Sequence, residues 1–167
     1  DCNNDNFGEA FIDECGFCVG GNTGEDAHFN CWPTVTNVVD VPDDQGGRVY
    51  VYFNGSSLDS TLANRTELYN VERFDPDPMS DGDSLWVNII SGPANGSGYY
   101  VYEVSTLLNN HDNQDGTTLF KVTGSFDEGN WTSELTEGFS VDNIVPDMPQ
   151  DFDGEFDSEE VTLAWTA

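Results

Sequence analysis

From Trp32 onward, apolar and polar residues alternate in short runs separated by turn clusters, and no stretch sustains the 3.6-residue period of an amphipathic helix. The pattern predicts an all-β region with strands near 34–41, 48–53, 67–74, 85–91, 99–106, 118–125 and 134–141. In the run Val49, Tyr50, Val51, Tyr52, Phe53 the odd positions should face a core and the tyrosines the outside. Lys121, between Phe120 and Val122, marks a solvent face in the same way. Turn signals stand between the runs at Asp43-Asp44-Gln45-Gly46-Gly47, Asp75-Pro76-Asp77-Pro78, Asp81-Gly82 and Asp115-Gly116. Seven strands at this spacing predict an antiparallel β-sandwich over residues 33–146.

Residues 1–32 have another texture, acidic and Gly-rich, and they hold all four cysteines, Cys2, Cys15, Cys18 and Cys31. An even count clustered in so short a segment reads as two disulfides formed in an oxidising compartment. A zinc ribbon is the rival reading, but it offers two close cysteine pairs where this segment has one. Three connectivities are open. Loops of similar length, and the awkwardness of joining Cys15 to Cys18, favour Cys2–Cys15 with Cys18–Cys31.

Charge narrows the function. Four Lys and Arg against 32 Asp and Glu leave a formal net charge of −28, which repels phosphate backbones and anionic lipid and calls for cations to screen it. Nucleic-acid binding and membrane insertion are therefore not expected, and no apolar run approaches spanning length. With 37% apolar and 13% aromatic residues the chain can still bury a core rather than stay disordered. It opens at Asp1 without an apolar leader, which reads as a processed or excised piece.

Side-chain oxygens recur in the first segment at Asp1, Asn3, Asp5, Glu9, Asp13 and Glu14, with Gly8 permitting a turn among them. Such alternation can wrap Ca²⁺, although the complete calcium-hand loop with its terminal bidentate Glu is missing, and a solvated acidic turn accounts for the same residues. Residues 1–31, reading DCNNDNFGEAFIDECGFCVGGNTG in their first part, resemble the short cysteine modules of secreted bacterial proteins, which are themselves similar to thrombospondin type 3 calcium repeats. That resemblance implies calcium held by the acidic side chains and paired cysteines.

The second region resembles a bacterial fibronectin type III domain, an immunoglobulin-like sandwich. Three motifs carry the resemblance in order: Asp40-Val41-Pro42-Asp43-Asp44-Gln45-Gly46-Gly47, then Glu103-Val104-Ser105-Thr106-Leu107, then Ser140-Val141-Asp142-Asn143-Ile144-Val145-Pro146. It implies a spacer or adhesive module and brings no catalytic residues. Phe53 stands where such domains often carry Trp, which keeps an aromatic core plug. Residues 147–167 resemble the opening strands of a further unit, with Val161, Leu163 and Trp165 alternating as Val49, Val51 and Phe53 do. Such strands cannot make a sandwich alone. Either they complete the sheet of a neighbouring subunit as a donor strand, or they begin a repeat whose remainder lies elsewhere.

Catalytic motifs are missing: there is no G-x-S-x-G, H-E-x-x-H or phosphate loop, and His28 and His111 lie outside any nucleophile pattern. His111, Asp112, Asn113 and Asp115 read as a second cation loop or as solvated turn residues. Four sequons, at Asn54, Asn64, Asn95 and Asn130, fall at strand ends or turns where glycans could be carried. Tyr50, Tyr52, Tyr100 and Tyr102 are candidates for an outward glycan-binding face, or for ordinary cross-strand pairing. The expectation is a non-enzymatic extracellular structural or adhesive protein, secreted or at the cell surface, polymerising head to tail by strand exchange. The alternative is a spacer or carbohydrate-binding region of a larger secreted enzyme.

Overall fold

The computed structural model describes residues 1–61, 66–76, 84–110, 115–145, 148, 150–157 and 160–166. Among these there are strands and no helix, as the period-2 alternation requires. The sandwich begins with β3 (Thr34–Asp40), β4 (Arg48–Asn54), β5 (Leu68–Pro76), β6 (Ser84–Pro93), β7 (Tyr99–Ser105) and β8 (Thr118–Phe126). Two short strands, β9 (Gly129–Thr132) and β10 (Thr136–Gly138), follow. Before it lie β1 (Phe11–Ile12) and β2 (Cys18–Val19), and after it β11 (Gln150–Asp157) and β12 (Glu160–Thr166).

Every pairing in the ladders is antiparallel. A three-stranded sheet runs β3-β4-β7, and a five-stranded sheet runs β10-β8-β5-β6 with β9 also on β8. The first sheet turns Val49, Val51, Phe53, Tyr100 and Val104 inward, and the second turns Tyr69, Val71, Phe120, Val122 and Phe126 to meet them. Phe53, fully buried, has the rings of Tyr69, Tyr100 and Tyr102 at 5.0, 5.2 and 5.6 Å, so an aromatic plug does fill the centre. Arg73 crosses between the sheets, donating to both oxygens of Asp75 and to the Ser105 carbonyl at 3.0 Å.

The last predicted sandwich strand differs from expectation. Instead of one run over 134–141, the chain forms β9 directly after the β8 turn and then β10. Ser133 causes the break: the Val122 N–H donates to the Ser133 hydroxyl at 2.9 Å, so a side chain takes the place of a ladder carbonyl. The inward alternation in β4 and the outward position of Lys121 stand as read.

Tyr100 and Tyr102 are corrected. Both lie on the core side of β7, with Tyr100 buried, while Tyr99 and Val101 point outward. The run Tyr99-Tyr100-Val101-Tyr102 puts tyrosine at both parities, and only pairing with β4, which sets Val49 opposite Val104, decides which face is buried.

Candidate functional site

The amino-terminal segment folds back on itself through the β1–β2 hairpin, which pairs Ile12 with Cys18. The disulfides are Cys2–Cys18 and Cys15–Cys31, which replaces the favoured Cys2–Cys15 with Cys18–Cys31. Loop length could not distinguish them, because the observed bonds also close two equal loops, each with a separation of 16 residues. The hairpin decides: it returns Cys18 toward the first loop and leaves Cys15 at the turn, close to the sandwich, where Cys31 is wholly buried in the main core. Phe17 completes the docking, with its ring 6.1 Å from Trp131, which in turn lies 6.0 Å from Phe126.

Of the six predicted calcium ligands, Asp1, Asn3 and Asp5 are hydrogen-bonded together in the first loop, while Asp13 and Glu14 are held in other contacts. Asp1 accepts backbone N–H groups of Asn3, Asp5 and Ala10, and Glu14 accepts the Asn30 N–H at 2.9 Å. Asp5 accepts the side-chain amide of Asn22 at 3.2 Å and that of Asn3 at 3.5 Å. Glu9 is exposed in the segment before β1. Asp13 is covered, with one oxygen accepting Cys15 and Phe17 N–H groups and the other bound to His28 through backbone N–H and ring Nδ1 at 3.0 and 2.9 Å. Burial pushes the Asp13 carboxyl up, but the His28 and Phe17 N–H groups and the His28 ring outweigh it and leave its pKa at about 2. Among the described residues no three His, Cys, Asp or Glu side chains gather as a metal-holding group. Of the second loop considered for a cation, residues 111–114 lie outside the described residues, and Asp115 caps the Thr117 N–H at 3.0 Å.

The three motifs of the sandwich, the first and last of which are bonded across 93 to 103 residues, meet in one hydrogen-bonded clasp. Ser140, fully buried, accepts the Gly47 N–H at 3.0 Å and lies 2.6 Å from the Thr106 hydroxyl and 2.9 Å from Asn109 Oδ1. Asn143 accepts the Asp44 N–H and donates to Asp40, while Asp40 also accepts the Val141 N–H at 2.8 Å. Gly46 and Gly47, at φ of 77° and 82°, supply the left-handed turn that aims the Gly47 N–H at Ser140. The clasp ties the segment leaving the sandwich to the turn between β3 and β4.

That segment leads to the β11–β12 hairpin. Its strands pair with each other, Phe156 opposite Val161 and Gly154 opposite Leu163, and with no other strand among the described residues. Phe156, Val161 and Leu163 are 77%, 60% and 51% exposed. Trp165 lies within β12, two residues beyond Leu163, and its side chain is outside the description.

Of the sequons, Asn54, Asn95 and Asn130 are exposed, and Asn64 lies outside the described residues. On the outer face of the three-stranded sheet Tyr52 sits 6.3 Å from Tyr50 and 6.2 Å from Tyr99, near parallel to the latter. Tyr99, rather than Tyr100 or Tyr102, is the outward tyrosine of β7. Four pairs fall among the described cations and acids: Arg48 with Asp44 and Glu103, Arg73 with Asp75, and Lys121 with Glu72 at 3.7 Å. No protein-family model, curated protein or solved structure matches the chain.

Proposed function

We propose that this chain is a non-enzymatic extracellular structural or adhesive module of fibronectin type III-like character, with a thrombospondin type 3-like cap, that associates through its carboxy-terminal hairpin. The observation that carries the reading is the exposed apolar face of a two-stranded sheet that joins no other strand among the described residues. A sheet of only two strands with an apolar face in solvent is a template for strand addition. A second copy of the chain is the partner we propose; joined head to tail, such a contact does not close and builds a fibre. Each covered Val, Leu or Phe would contribute roughly 1.5–3 kcal/mol. Two disulfides, and no helix long and apolar enough to span a membrane among the described residues, are compatible with a secreted or cell-surface protein.

A net charge of −28 opposes assembly, so cations belong to the same proposal. Calcium is the ion proposed for the amino-terminal cap, where the Asp5 carboxylate meets the side-chain amides of Asn3 and Asn22 rather than backbone N–H groups. The second reading, a carbohydrate-binding spacer of a larger secreted protein, draws its support from the outward row Tyr50, Tyr52 and Tyr99. The test is the variant Leu163→Asp with Trp165→Asp, followed by electron microscopy and light scattering. Wild-type filaments that vanish in the variant, with β-sheet circular dichroism unchanged, support the reading. A wild-type chain that stays monomeric at high concentration in salt and calcium refutes it.

A further inference from the structure

The loop between β6 and β7 brings together groups that neither the clasp nor the hairpin uses. The chain has two Asn-Gly pairs, Asn54-Gly55 and Asn95-Gly96. After an asparagine, the following backbone nitrogen can attack the side-chain amide carbon, and glycine hinders that attack least because it has no Cβ. The reaction needs a base for the N–H and donors for the oxyanion that forms on Oδ1.

Asn95 has both. The Gly96 N–H donates to Asp59 Oδ1 at 2.6 Å, so a carboxylate sits on the proton that must leave. Asn95 Oδ1 accepts the Ser97 hydroxyl at 2.5 Å and the Ser97 N–H at 3.2 Å, with Tyr100 Oη 3.0 Å away. Asp59 is itself held by the phenols of Tyr69, at 3.3 Å, and Tyr100, both anchored in the core. Gly96, at φ of 73°, lies so close to Thr61 that a Cβ would stand 2.5 Å from its methyl group, which fixes this loop against the segment carrying Asp59. Asn54 is the internal control: it ends β4, and its Gly55 N–H donates to the Gly98 carbonyl at 2.9 Å, which is no base.

We propose that Asn95-Gly96 is a self-modifying site at which Asp59 and Ser97 promote succinimide formation. Asp59 takes the Gly96 amide proton as the Gly96 nitrogen bonds to Asn95 Cγ. The oxyanion rests on the two Ser97 donors. As it collapses, the Cγ–Nδ2 bond breaks and the nitrogen leaves as ammonia carrying the proton returned from Asp59. Water then opens the five-membered imide at either carbonyl, giving aspartate or isoaspartate at position 95. No oxidant or cofactor enters, and the net change is one amide exchanged for one acid. A glycan on Asn95 Nδ2 would occupy the leaving group, so the same residue offers two mutually exclusive modifications.

The experiment incubates the unglycosylated full chain at neutral pH and follows both sites by peptide mass mapping with isoaspartate detection. Asn95 should convert at least about tenfold faster than Asn54, with isoaspartate or trapped succinimide among the products. Asp59→Asn should slow Asn95 at least about tenfold and leave Asn54 unchanged. Ser97→Ala, on an exposed residue that does not threaten the fold, should slow Asn95 about threefold or more. Equal rates at the two asparagines, an unchanged rate at Asn95 in Ser97→Ala, or aspartate as the sole product without any imide would each overturn the proposal. Should Asp59→Asn lower the melting temperature, the Ser97→Ala comparison decides alone.

Discussion

Replacing Ser140 by alanine should loosen the junction between the sandwich and the segment that leaves it. The hydroxyl is fully buried and is the acceptor for the Gly47 N–H at 3.0 Å and a partner of Thr106 Oγ1 at 2.6 Å. An unsatisfied buried polar group costs about 1–3 kcal/mol. Gly47 is only half-buried, so water can reach its N–H and the lower end applies there. Thr106 is buried, but its hydroxyl can rotate, which again lowers the cost. The sum is about 2 kcal/mol. For a chain of this length, about 2–4 °C of melting temperature follow each kcal/mol, so the expected drop is about 4–8 °C. Urea denaturation of Ser140→Ala, Thr106→Val and the double variant measures it, and a coupling above about 0.5 kcal/mol marks direct contact. A Ser140→Ala loss under about 0.5 kcal/mol, or strict additivity with Thr106→Val, would show that the clasp is not a cooperative unit.

Chelating calcium should lower the melting temperature of the amino-terminal cap or expose it to protease; the absence of either effect, with no heat of calcium binding by calorimetry, removes the ion from the account. Asp13 sets an acid limit. Its pKa falls from 3.8 to about 2 on folding, so the stability it confers is complete above about 3.8 and is lost as the pH falls toward 2. Asp13→Asn should therefore flatten part of the decline in unfolding free energy between pH 4 and pH 2; parallel wild-type and variant curves over that window would show that the carboxylate is not a source of it.

The all-β class, six of the seven sandwich strands and the inward face of β4 were legible along the chain, because alternation is a local property that needs no knowledge of neighbours. So were the motifs at 40–47 and 140–146, since turn-forming Gly, Asp and Asn announce themselves by type. Their meeting around Ser140 was not, because hydrogen bonds between residues nearly 100 positions apart exist only once two sheets have stacked. The disulfide partners depended on the β1–β2 hairpin and on the burial of Cys31 in the sandwich, neither of which spacing encodes. Tyr99 and Tyr100 were equal in sequence and became opposites when β7 paired with β4, since one residue of register exchanges the wet face for the core. Asp59 and Gly96 show the same limit in the chemistry. An Asn-Gly pair can be read at once at two places, but only the packing of the β6–β7 loop against Tyr69 and Tyr100 sets a carboxylate on one amide proton and leaves the other facing a carbonyl.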